Sequence, residues 1–287
     1  MDGGPSPLTS WTFDPAALVA LGAVTFAYER RLRTLAARSV RVAGWQKSLF
    51  RGGLLVLLFS VVSPLHAFAE EQFLTAHMLQ HVLIGDVAPL MLLAGLTGPV
   101  LRPLLALPWV GRLRALVHPA IALPLWALNL YLWHIPYAYD GALGNSALHA
   151  LQHVLFVSAG VLMWAPVVEV LPGPEWFGTG MKLGYIVLVR LFETVLGNVF
   201  LWSGGVFYET YDHAARWGLS AGGDQGVAGG VMMLEGSLVT LGALAWLFLR
   251  LAHESELRQE LLERGLDARA VARAVRYGRG EELSGER

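Results

Sequence analysis

The chain has no cysteine and little charge. Without cysteine it can hold no disulfide, thiolate metal site, iron–sulfur cluster or cysteine nucleophile. Asp, Glu, Lys and Arg make up only 15% of the 287 residues, against about 25% in soluble domains. The formal net charge of −1 gives nucleic acid no attraction, so no nucleic-acid partner is expected. What is plentiful is apolar: 55% of residues, at a mean hydropathy of +0.50. So much apolar residue excludes a disordered chain. Its arrangement in long blocks, rather than alternating faces, speaks for a membrane and against a soluble two-domain globule. The ten Trp residues suit a protein with two membrane interfaces.

Seven blocks are long enough, or nearly so, to cross a bilayer: Asp14–Tyr28, Leu49–His66, Phe73–Leu93, Ala120–His134, Ala147–Val168, Leu183–Trp202 and Val227–Leu251. A crossing needs about 20 residues, so the first and fourth are short. Asp14-Pro15 reads as an N-cap followed by Pro at the first helical position. With no basic stretch before the first block and no small-residue cleavage site after it, that block reads as a retained helix. The fold class expected is therefore all-α, a polytopic integral membrane bundle of about seven transmembrane helices over residues 1–251. A charged cytoplasmic tail follows over 252–287. Within it His253–Tyr277 is helix-prone, with apolar Leu257, Leu261, Leu262, Val271 and Val275; it reads as a solvated or interfacial helix, or as a docking surface. Nineteen of the 21 Lys and Arg residues fall in the first, third and fifth loops and the tail, leaving Arg216 opposite and Arg190 inside a span. The positive-inside rule then puts the N-terminus outside and the C-terminus in the cytoplasm of a multi-pass plasma-membrane protein. The glycines of the last two spans, Gly197, Gly229, Gly230 and Gly242 among them, suit close helix packing.

The most informative feature is an internal repeat. His77-Met78-Leu79-Gln80-His81-Val82-Leu83 and His149-Ala150-Leu151-Gln152-His153-Val154-Leu155 both read H-x-L-Q-H-V-L. Each follows an ascending block that ends in a histidine, His66 before the first and His134 before the second. Two related hairpins facing one another would account for the repetition. At 1.5 Å per residue, His81 lies roughly 12 Å below Phe73 and His153 roughly 9 Å below Ala147. All six histidines thus fall in or near the outer half of a core about 30 Å thick. Histidines at i and i+4 share one helix face, so two such pairs offer four imidazoles to one ion. An imidazole set without sulfur or many carboxylates suits copper, zinc or iron. The bland alternative is a set of helix-bridging histidines hydrogen-bonded across the bundle. Gln80 and Gln152 sit off the histidine faces as supporting donors. Asp86 is a buried acid or a proton-linked group. Arg190 and Glu193 read as a neutralising pair, and Glu235 reaches toward Arg190 or the metal region. Met78, Met163, Met232 and Met233 are core filler or soft ligands for copper(I).

On these residues the sequence resembles the CtaG family of cytochrome c oxidase assembly factors, the polytopic type associated with caa-type oxidases. The resemblance rests on His77 to His81, on Trp133-His134-Ile135-Pro136 with Tyr139, on His149 to His153, on Trp164-Ala165-Pro166, and on Asp224-Gln225 followed by Gly229-Gly230. It covers about residues 10–250. Gln152 stands where an acidic residue is common, and Met233-Leu234 where Met-Trp is expected. A single-span copper chaperone that shares the family's name uses cysteines and is excluded. The resemblance implies assembly of the oxidase, by supplying or holding copper for its catalytic subunit, with oxidase subunits and membrane lipid as partners and no catalysis of its own. Asp224 would belong to the polar support of the site.

Three other functions compete. An intramembrane zinc hydrolase would pair a histidine-bound metal with a general acid or base, for which Asp140, Asp86 and Asp224 are the candidates. A b-type cytochrome with stacked haems needs axial histidines about 20 Å apart on a helix, whereas i, i+4 pairs are about 6 Å apart; one haem on His66 or His134 stays open. A metal-free assembly scaffold is the third.

Overall fold

The computed structural model describes residues 9–171, 173–276, 278–280 and 283, with only the backbone of Trp109, Arg112, Leu113, Arg114, Asp212, His213 and Arg216. The tail expectations that fall on Tyr277, on 281–282 and on 284–287 lie outside the described residues. All regular structure among the described residues is helical.

Helix α1 (Pro15–Ala37) starts as its sequence dictates. Pro15 supplies a preset φ, and the Asp14 carboxylate accepts a hydrogen bond from the Ala16 amide at 2.9 Å. Helix α2 (Gly44–Val62) ends four residues before His66, which corrects the expected block Leu49–His66. The cause is Pro64: Ser63 before it is forced out of the helical region, to ψ 166°. Ser63 then caps a separate short helix, α3 (Pro64–Glu71), which carries His66. The third block is also not one regular helix. It runs as α4 (Leu74–Val82), a π turn over Leu83–Val87, and α5 (Ala88–Gly95). Pro89 accounts for the π turn. A regular helix would need its N–H for the Gly85 carbonyl, and its ring would collide with that carbonyl. The turn widens instead, and the Ala88 amide donates to the Leu83 carbonyl, five residues back.

There follow α6 (Gly98–Leu105), α7 (Pro108–Leu113), α8 (Pro119–Trp133), α9 (Pro136–Leu143), α10 (Ser146–Val168), α11 (Thr179–Trp202), α12 (Ala221–Glu263) and α13 (Ala268–Arg276). Five segments are long and apolar enough to cross a membrane: Gly44–Val62, Leu74–Gly95, Ser146–Val168, Thr179–Trp202 and Ala221–Glu263. Helix α8 has only 15 residues, and α1 carries Glu29, Arg30, Arg31 and Arg33 along its length. The outer faces of the long helices expose Leu55, Phe59, Val154, Leu191, Leu238 and Phe248. Water would oppose that exposure and lipid favours it, so this is a membrane protein.

The chain divides into two compact units, Met1–Leu171 with Phe192–Gly236, and Pro172–Leu191 with Ser237–Arg287. In the first, glycines let helices touch. A Cβ on Gly160 of α10 would lie 2.0 Å from the Gly85 carbonyl oxygen of the π turn. A Cβ on Gly229 of α12 would lie 2.6 Å from the Gly197 carbonyl oxygen of α11. In the second unit the tail is folded. Gly265, at φ +80°, ends α12 in the left-handed conformation that glycine allows. The Asp267 carboxylate then caps α13, accepting from Arg269 and Ala270 at 3.1 and 2.9 Å. Leu261, Val271 and Val275 are buried together with Leu257 against them, whereas Leu262 stays exposed. Arg190 donates to the Ser237 hydroxyl at 2.8 Å.

Candidate metal centre

The histidine helix α4 begins at Phe73, whose side chain has no acceptor to cap it. The cap comes from α12. Asp224, fully buried, accepts from the Leu74 amide at 2.6 Å and from the Thr75 amide and hydroxyl at 3.1 and 2.6 Å. Its carboxylate also complements the positive end of the helix dipole. Gln225 accepts from the Phe207 amide at 2.8 Å and donates to the Gly205 carbonyl at 3.0 Å, which ties down the chain before α12. Helix α10 is capped locally, by Asn145 accepting from Leu148. Asp224 is thus structural support one helix turn from His77, rather than a neighbour of the imidazoles.

The two i, i+4 pairs meet. Ring centroids are 4.2 Å apart for His77 and His81 and 4.3 Å for His149 and His153. Across the helices they are 5.5 Å apart for His77 and His149 and 5.7 Å for His81 and His153. His77, His81 and His149 bring their ligand nitrogens within 4.8 Å of one another. A tetrahedral ion with nitrogens at about 2.0–2.1 Å spaces its ligands about 3.3 Å apart, so small ring rotations close the site.

Hydrogen-bond partners decide which nitrogens face inward. The His149 Nδ1 lies 2.8 Å from Glu70 Oε1, so Nδ1 holds the proton and Nε2 is left with its lone pair. That Nε2 is buried and has no hydrogen-bond partner. His77 Nδ1 donates to the Ala69 carbonyl at 3.1 Å, beside the Tyr211 hydroxyl, and its Nε2 faces His81 Nε2 at 2.8 Å. His81 Nδ1 and His153 Nε2 are likewise buried without a partner. Buried polar atoms are rarely left so. The nitrogens of His77, His81 and His149 lie close enough to share one ion, with His153 beside them, and an imidazole set of this kind fits copper, zinc or iron.

The other expected residues stand behind or beside this set. Gln80 donates to the Ser60 carbonyl at 2.7 Å and to His66 Nδ1 at 3.1 Å. His66 Nε2 lies 3.5 Å from Glu70, so both its nitrogens face hydrogen-bonding partners outside the cluster, and its ring stacks 6.0 Å from His149. Gln152 is fully buried, with neither amide atom partnered. His134 is 6.5 Å from His81 and turns toward Met78. Asp86 accepts from Trp164 Nε1, deeper along α4 and the π turn than the cluster. Asp140 meets the Thr210 hydroxyl at 3.4 Å.

Sequence reasoning missed Glu70, Tyr208 and Tyr211, and named Tyr139 only as part of the family resemblance. The tyrosines roof the cluster: Tyr139 and Tyr211 hydroxyls are 2.9 Å apart, Tyr211 donates to Ala69, and Tyr208 donates to the His134 carbonyl. Glu70 had a signal, an acid one helical turn after His66, but its partner His149 lies 79 residues away. The His149 hydrogen bond holds the Glu70 carboxyl below its ordinary value, against the opposing effect of burial. Carboxylates that orient metal-ligating imidazoles commonly contribute about 10–100-fold in metal affinity. For a metal held at this cluster, Glu70→Gln is expected to weaken binding by about that factor while α3 and the melting temperature stay unchanged. Competition against a chelator of known affinity measures it, and an unaltered affinity would remove Glu70 from the site.

An all-helical membrane protein with a buried, carboxylate-braced imidazole cluster at one end of two neighbouring helices is the class defined by this geometry. A model of the cytochrome c oxidase caa3 assembly factor family, Caa3_CtaG, matches residues 26–254, and the chain belongs to that family. No curated protein and no solved structure matches it.

Proposed function

We propose that this protein holds one copper ion at His77, His81, His149 and His153 and supports copper-site assembly in the oxidase from within the membrane. The observation that carries the reading is the convergence of the His77, His81 and His149 nitrogens within 4.8 Å, with the buried Nε2 atoms of His149 and His153 lacking any hydrogen-bond partner. A bundle that used these histidines only for packing would pair them. The family supports the assembly role, and an acceptor embedded in the membrane makes a donor site at membrane depth useful. The test is elemental analysis of the protein purified in mild detergent. A copper-to-protein ratio near one is expected, falling to near zero in the His81→Ala, His149→Ala double variant. Zinc or iron at that ratio overturns copper, and no metal at all favours the scaffold reading.

The same proposal includes the topology. Helices α1 and α8 join the five longer segments as spans, the histidine end is extracytoplasmic, and the basic loops and tail are cytoplasmic. A reporter active only in the cytoplasm, fused after Arg287, should give signal. Silence there, with signal from an N-terminal fusion, inverts the orientation.

A further inference from the structure

His134 turns away from the four-histidine cluster, and its environment is chemically unusual. Its Nδ1 is 2.7 Å from the Leu130 carbonyl oxygen. A carbonyl only accepts, so Nδ1 carries the proton and the neutral ring presents a lone pair at Nε2. That nitrogen faces Met78 Sδ at 3.4 Å. A thioether sulfur has no proton to donate. Two electron-pair donors therefore oppose each other, with Met78 wholly buried and His134 nearly so. Protonating Nε2 would resolve the contact only by burying an imidazolium. A soft cation between the two atoms resolves it directly. Zinc-like bonds of about 2.0–2.1 Å to nitrogen and about 2.3 Å to sulfur, at near-tetrahedral angles, would put the two donors about 3.3–3.5 Å apart, so the observed 3.4 Å is of metal-bridging size.

There is room beside this pair. A cavity of about 50 Å³ is lined by Met78, His134, Met232, His81, Asp86 and Glu235, among others. One water needs about 10–15 Å³ of such space.

We propose that Met78 Sδ and His134 Nε2, with Met232 on the cavity wall, form a second metal site that takes a soft monovalent cation of the copper(I) or silver(I) class. Neutral thioether and imidazole donors without thiolate favour that class over divalent ions. His81 links the two sites. Its Nε2 faces His77 in the cluster, while its Nδ1 edge lacks a hydrogen-bond partner and its ring lines the cavity. The sites stand in series through one imidazole, and an ion moves between them by exchanging one nitrogen of His81 for the other. This relay rests on the cluster being a metal site; the Met78–His134 site does not.

Silver(I) alone is the probe, added to the full-length protein in chloride-free detergent solution. Silver per chain is counted after desalting, and X-ray absorption reports sulfur in the coordination shell. The wild-type protein should hold two silver ions, with sulfur bound to one. Met78→Leu conserves volume and so preserves packing; it should reduce two ions to one and abolish the sulfur shell. His149→Ala should also leave one ion, but with its sulfur shell intact. A wild-type spectrum without sulfur overturns the second site and needs no variant. A sulfur shell unchanged in both Met78→Leu and Met232→Leu overturns it too. Loss of sulfur in Met78→Leu with no loss of silver in His149→Ala would retain this site and sink the four-histidine one instead.

Discussion

Replacing His153 by alanine is expected to leave the protein in the membrane at its normal level while the oxidase made in the same cells loses its copper. Insertion depends on the summed apolarity of a span, and His→Ala makes α10 more apolar. Nothing in the folded state depends on the ring's outer nitrogen, since His153 Nε2 has no hydrogen-bond partner. Metal binding does depend on it under the proposed function. Changes to groups merely supporting a ligand weaken affinity by about 10–100-fold, and loss of a ligand should exceed the upper figure, about 100-fold. Copper content and activity of the isolated oxidase should then fall at least tenfold, with haem content unchanged. Immunodetection of the variant in the membrane is the necessary companion measurement. A copper-replete oxidase from cells carrying only His153→Ala would falsify the copper-supply role and leave the scaffold or hydrolase readings.

The second large effect is expected from a residue with no chemistry. In an open helix, alanine is better than glycine by about 1 kcal/mol. At Gly160 the sign should reverse. Its Cβ would lie 2.0 Å from the Gly85 carbonyl oxygen and 2.8 Å from Pro89 Cγ, and the first of these is backbone that cannot swing aside. Overpacking of this kind costs about 1–3 kcal/mol, more than the propensity gain. Gly160→Ala should therefore lower the thermal stability of the purified protein. Because it pushes α10 off the π turn below His81, it should also weaken metal binding. Gly184→Ala is the control, since nothing lies within 4 Å of a Cβ there; it should be neutral or slightly stabilising. Equal melting temperatures for the two variants would show that α10 and the π turn are not in obligatory contact.

Much of this architecture is written locally. Apolar blocks long enough for a bilayer, Asp14-Pro15 at the start of α1, and histidines four apart on two helices are all consequences of short-range rules: 3.6 residues per turn and the need of backbone groups for internal partners in lipid. The meeting of His77, His81, His149 and His153 could be anticipated for the same reason, because a repeated motif at equal depth on two hairpins has few other ways to bury its polar edge. That these rings hold an ion remains the proposal argued above.

Tertiary structure decided the rest. Pro89 opens the π turn by a local rule, but room for the displaced Gly85 carbonyl comes from Gly160, 75 residues away. Asp224 caps a helix 150 residues distant, and Glu70 rather than the neighbouring Glu71 reaches His149. His134 and Met78, 56 residues apart, face each other. Propensity, periodicity and spacing act over one or two turns, so they set which side chains share a face. Which face meets which is settled by packing between helices, where a single glycine or cap outweighs any local preference.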